Sequence, residues 1–175
     1  MITKSRNHDL VITKWHARFL GRRFPCATGR GGIGPKAGEG DGVTPVGRLN
    51  LFWLAYNGKR IAPTLVARAG LAAHPIGPQD KWSDDPRDPN YNQLVRAAQY
   101  SFSHERLARP DPLYDLVGIL DYNYPDAKAG AGSAIFLHVW RKARHPTEGC
   151  IAFCLADLKW ILTRWREDSR VVIEG

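Results

Sequence analysis

Seventeen glycines and twelve prolines punctuate this 175-residue chain, and most of them fall within its first 130 residues. Both residue types are costly inside helices and at home in turns, so their density predicts short elements joined by many turns. That points to a mainly β, α+β fold rather than a helix bundle. The length suits one domain over residues 1–175, large enough to bury a core without disulfides or metals to staple it.

Apolar patterning fills in the elements. Residues 10–13 and 17–20 read as an opening hairpin, and 24–28 continue the β pattern. Residues 29–42 form a Gly-rich stretch with no Lys-Ser or Lys-Thr to close a phosphate loop and no helix after it. It reads either as a flexible surface loop or as a loop that lines a substrate. Residues 51–56 read as a strand, and 113–120 and 134–139 as central strands. Between them, 75–92 is rich in Pro, Asp and Asn around Trp82 and reads as an ordered excursion outside the core. After Cys150 the period changes: Leu155, Leu158, Ile161, Leu162 and Trp165 mark one face of an amphipathic helix, with Asp157 favouring its first turn. Residues 170–173 return as a last strand.

The formal charge is +8, which suits an anionic partner such as a wall polymer or a nucleic acid. The basic residues are scattered, however, and no nucleic-acid motif accompanies them, so no nucleic-acid partner is expected. Cys26, Cys150 and Cys154 lack the paired spacing of a zinc site, and neither a metal nor a cofactor is expected. No stretch approaches the ~20 apolar residues of a membrane span, and the N-terminus has no apolar signal core.

One region carries nucleophile chemistry. His138 ends the apolar run 134–139, and Cys150 follows the turn Thr147-Glu148-Gly149. A thiol becomes a nucleophile when an imidazole takes its proton, and a helix beginning after Cys150 would lower its pKa further. The competing reading is an inert core thiol. For the base, His138 on a strand is held more rigidly than His145, which precedes Pro146 in a loop. His104, beside Glu105, is a third candidate. With no acid adjacent to His138 in sequence, a backbone carbonyl is expected to orient its ring. The amides of Gly149 and Cys150 are candidates to face an oxyanion.

His138, its spacer and Thr147-Glu148-Gly149-Cys150-Ile151 together resemble the signature of L,D-transpeptidases of the YkuD type, which reads histidine, spacer, Ser/Thr-His-Gly-Cys. Residues 41–47, with Thr44-Pro45-Val46-Gly47, are similar to that family's upstream Thr-Pro-x-Gly element. Here Glu148 stands where the family usually has histidine, and Ala152 where it commonly has arginine. The resemblance implies a β-sandwich or barrel-like catalytic domain with a helix after the catalytic cysteine. It also implies a thioester on Cys150, with His138 as base, the Val139 carbonyl as orienter and the Gly149 region as oxyanion site.

The implied partners are peptidoglycan stem peptides, with a carbapenem as an expected covalent adduct. The implied compartment is the periplasm or cell envelope. The implied donor is a tetrapeptide or an L-alanine donor, and the acceptor amine that of diaminopimelate. Thr147, Glu148, Tyr91, Asn92, His104 and Trp140 are the expected substrate contacts. The alternatives are an L,D-carboxypeptidase or other cysteine hydrolase, and a non-catalytic cell-wall-binding module.

Overall fold

The computed structural model describes residues 5–175, and its architecture follows from two faces of one central sheet. That sheet has the strand order Ile151–Phe153, Phe136–Val139, Leu116–Leu120, Leu51–Tyr56, Ala73–Pro75. Side chains alternate across a strand. Leu54, Tyr56, Leu116, Leu120, Leu137 and Val139 enter one apolar cluster, while Trp53, Ala55, Val117, Ile119 and Phe136 enter another on the opposite face. The central strands are therefore near-continuous apolar runs, as a sheet covered on both sides requires.

The first face packs against a second five-stranded sheet, ordered Arg22–Pro25, His16–Phe19, Leu10–Ile12, Val171–Ile173, Gly47–Leu49. The opening hairpin forms as expected, and the last strand pairs in parallel with the first, Leu10 opposite Val171. Leu10, Ile12, Phe19, Val171 and Ile173 fill the shared core. The helix Leu155–Leu162 adds Leu158, Ile161 and Leu162 to it. Trp165 lies past the helix end and stacks on Phe19 with ring centroids 5.8 Å apart. The mainly β fold with a late helix is thus what forms.

Three expectations change. The stretch 75–92 is not an excursion outside the core. It contributes the strand Asp80–Ser83, central in a three-stranded sheet with Leu94–Arg96 and His104–Arg106, and Trp82 is 1% exposed. Its indole packs edge-on against Phe136 at 5.0 Å, so this segment is the lid on the second face of the central sheet. Second, the strand anticipated from residue 113 begins at Leu116. Pro112 and the Asp111 carboxylate, which accepts the Leu113 amide at 3.1 Å, start a short 3-10 turn instead. Third, no helix follows Cys150 directly. The strand Ile151–Phe153 intervenes, and Cys154 rather than Cys150 caps the helix.

The Gly-rich stretch 29–42 is ordered. Ile33–Gly34 pairs in parallel with Thr44–Pro45, and the Asp41 carboxylate accepts the amides of Ala37 and Val43 at 2.8 and 2.9 Å and Lys36 Nζ at 2.6 Å. The loop ties to the segment before Cys150 through the Arg30 amide, which donates to the Thr147 carbonyl at 2.8 Å. Among the described residues no helix is long and apolar enough to cross a membrane.

Candidate active site

Phe136–Val139 and Ile151–Phe153 run parallel, with His138 opposite Ala152. Alternation places His138 on the same face as Phe136, toward the lid. Cys150 immediately precedes its strand and falls alongside Phe136, whose amide donates to Cys150 Sγ at 3.4 Å. Both reactive side chains open onto one cavity of about 390 Å³ between the sheet, the lid and the Gly-rich loop.

The turn before Cys150 explains its composition. Gly149 has φ of +135°, and a Cβ there would meet the Val43 carbonyl oxygen at 2.9 Å, so only glycine suits it. The Thr147 hydroxyl donates to the Cys150 carbonyl at 2.6 Å and accepts the Gly149 amide at 3.2 Å. That leaves the Cys150 amide, which has no acceptor among the described residues, as the donor free to face a reacting group. The upstream Thr-Pro element reaches the same turn: Thr44 Oγ1 donates to the Gly149 carbonyl at 2.9 Å and accepts the Gly29 amide at 2.8 Å.

The His138 ring is 6% exposed, and its Nδ1 donates to the Val139 carbonyl at 2.8 Å. That bond fixes the proton on Nδ1 and leaves Nε2 as a proton acceptor. Tyr114 meets the imidazole edge-to-face at 5.5 Å. Burial lowers the pKa of His138 to about 4, against the smaller upward pull of the Val139 carbonyl. His145 lines the same cavity, but its imidazole makes no hydrogen bond among the described residues. The strand-borne histidine is thus the more rigidly held of the two imidazoles.

Burial also raises the Cys150 thiol to about 12, the Phe136 amide offsetting it only in part. The fall in pKa expected from a helix terminus is absent, because a strand rather than a helix follows the cysteine. The thiol donates to the Ala134 carbonyl at 3.0 Å. Ala134 sits in the left-handed region, φ 52°, and its amide is held by Asn92 Oδ1 at 3.0 Å. A non-glycine residue there stores about 1–2 kcal/mol of strain, and at this position the strain aims a carbonyl at the Cys150 thiol. The thiol and the imidazole are thus both neutral at rest near pH 7.

Of the anticipated substrate contacts, Thr147, Glu148 and Trp140 line the cavity, whereas Tyr91, Asn92 and His104 do not. Tyr91 is 4% exposed and bridges Glu39, to which its hydroxyl donates, and the Gly132 amide at 3.0 Å. Asn92 is equally enclosed, its Oδ1 also accepting Trp82 Nε1 at 2.8 Å. His104 Nδ1 bonds the Phe102 carbonyl at 2.7 Å, and strand alternation turns its neighbour Glu105 to the cavity instead. Glu148 is 75% exposed at its side chain and pairs with Arg30 at 2.7 Å, while Arg30 also holds the Gly40 carbonyl at 3.0 Å.

Sequence reasoning missed Asp84, Arg109 and Tyr114 and named Glu105 only as the neighbour of His104; all four line the cavity. Burial and the neighbouring Asp84 raise the Glu105 carboxyl. Arg109 grips Asp111 at 2.9 and 2.7 Å and lies over the Tyr114 ring at 5.4 Å. The string Arg109-Pro110-Asp111-Pro112 was the available signal, since two prolines fix the backbone around a cation and an acid two residues apart.

A family model for the L,D-transpeptidase catalytic domain, YkuD, matches residues 4–173. No curated relative and no solved structure matches the chain.

Proposed function

The chain belongs to the YkuD family of L,D-transpeptidase catalytic domains, and from that premise we propose that it crosslinks peptidoglycan stem peptides through a thioester on Cys150. The observation that carries this reading is the opening of Cys150 and His138 onto one cavity, with the His138 Nδ1 proton committed to the Val139 carbonyl.

In acylation, Cys150 Sγ attacks the donor's carbonyl carbon while its proton passes to His138 Nε2. The Cys150 amide receives the developing oxyanion. Collapse of the tetrahedral adduct expels the leaving amine, which takes the proton back from the imidazolium, and a thioester remains. An amine of a second stem, that of diaminopimelate, then attacks the thioester carbonyl and gives up a proton to His138. The thiolate leaves and is reprotonated. Two donors are compatible with this chemistry: a tetrapeptide, giving a link between two diaminopimelates, and an L-alanine donor, giving an L-alanine to diaminopimelate link. Thr147, Glu148 and Trp140 are the substrate-facing residues in this scheme. The substrate puts the reaction in the periplasm or cell envelope, and a carbapenem acylates the same sulfur.

Incubation with defined muropeptides, followed by mass spectrometry of the product linkage, tests the proposal. A new amide crosslink is expected, and Cys150→Ala abolishes both it and the carbapenem adduct. Crosslinking retained by that variant refutes the mechanism. Release of a free acid with no amine incorporated identifies a carboxypeptidase instead.

A further inference from the structure

A second cavity of about 530 Å³ adjoins the first, and Arg109 and Tyr114 line both. Its walls combine apolar surface from Ile76 and Leu107 with the cations Lys59 and Arg60. Asp115 is the one acid among the described residues that line it, and it already holds Arg60 Nη1 at 2.9 Å. Arg60 spends further donors on the carbonyls of Asp111 and Pro110. Lys59 has no acidic partner among the described residues, so the cavity keeps uncompensated positive charge.

Arg109 stands at the boundary between the two spaces with its side chain 26% exposed. Asp111 occupies its Nε and Nη2, leaving Nη1 with no acceptor among the described residues. Glu105 faces the same guanidinium from the catalytic side. A half-buried guanidinium, clamped on one edge and free on another, is shaped to take a planar carboxylate. Arg109 and Tyr114 line both cavities, so a peptide extending from the first reaches the second across these two residues.

We propose that the second cavity is a subsite for a carboxylate-bearing arm of the peptide held at Cys150, with Arg109 setting specificity at the boundary and Lys59 as the second cation. The proposal deepens the transpeptidase reading and rests on it for the identity of the peptide. Stem peptides with free carboxylates are then preferred over their amidated forms, and the preference resides in binding rather than in the chemical step.

The Cys150→Ala protein, titrated by calorimetry, isolates binding from turnover. The probes are a synthetic diaminopimelate-containing stem tetrapeptide with free carboxylates and the same peptide with its carboxylates amidated. The free acid is expected to bind about tenfold more tightly, the scale of one charge-assisted hydrogen bond. Lys59→Gln in the same background, an exposed position that leaves the fold intact, shrinks that ratio, as does Arg109→Lys, which keeps the charge and loses the fork. Equal affinity for the two peptides, binding of neither, or a ratio untouched by Lys59→Gln overturns the subsite. Crosslinking by the unaltered chain is measured in parallel. Crosslinking without a carboxylate preference refutes the subsite alone, and a carboxylate preference without crosslinking refutes the transpeptidase reading alone.

Discussion

Thr44 and Gly149, 105 residues apart in sequence, are joined by a buried hydrogen bond of 2.9 Å from the threonine hydroxyl to the glycine carbonyl. Because the same hydroxyl accepts the Gly29 amide, one small side chain sets the Gly-rich loop and the cysteine turn relative to each other. The Thr-Pro element thus holds the turn before Cys150.

Thr44→Val keeps the shape of that side chain and removes both bonds. It strands a buried amide and a buried carbonyl, a loss of about 1–3 kcal/mol in stability. The freed turn also misplaces the Cys150 amide, so kcat falls by more than KM rises. Denaturant midpoints and steady-state kinetics check this, and Thr44→Ser restores both quantities in part. A Thr44→Val protein equal to the parent in stability and kcat contradicts the role given to the hydroxyl.

The pH dependence of the base follows from its burial. His138 has a folded pKa of about 4 against an ordinary 6.5, so between those values the unfolded chain binds a proton that the folded chain does not. Stability is complete above pH 6.5 and declines as the pH falls toward 4, by up to about 1.4 kcal/mol per pH unit for this group. The acid limb of kcat/KM has its midpoint near 4 rather than 6.5. A pH profile of kcat/KM, with His138→Gln as the inactive reference, measures it. A midpoint at the ordinary histidine value shows that His138 is not the buried base described here.

The same burial keeps Cys150 protonated. Its pKa of about 12 exceeds the ordinary 9.0, so the thiolate is scarce at neutral pH and the sulfur is ionised only as it attacks. Alkylation by iodoacetamide at pH 7.5 is expected to be far slower at Cys150 than for a free thiol, rising steeply only above pH 9. Cys26, also raised to about 12 by burial, behaves alike. Peptide mapping by mass spectrometry resolves the sites. Rapid alkylation of Cys150 at neutral pH indicates a resting thiolate–imidazolium pair, contrary to the neutral pair derived above.

What the sequence disclosed and what it concealed divide along the range of the interactions. The hairpin, the strand at 51–56, the helix after residue 154 and the meeting of Cys150 and His138 at one cavity were legible, because each rests on local periodicity or on a short motif. Trp82 was misread because Pro and Asp dominate its neighbourhood, and nothing local reports that Phe136, 54 positions later, needs an aromatic lid. Glu105 was read only as the neighbour of His104 for the same reason: its place in the cavity comes from its strand pairing with Trp82, a contact between distant segments. His104 drew attention by residue type, yet the pleat gives the cavity to its neighbour.

Asn92 offers the sharpest separation between a substrate contact and a structural tie. Its Oδ1 accepts both Trp82 Nε1 and the Ala134 amide, at 2.8 and 3.0 Å, so it connects the lid to the strained residue whose carbonyl accepts the Cys150 thiol's hydrogen bond. Asn92→Leu leaves two buried donors unpaired and costs about 2–4 kcal/mol. Trp82→Ala removes the lid's largest buried side chain and costs about 3–5 kcal/mol, and denaturant midpoints of the two variants measure both losses.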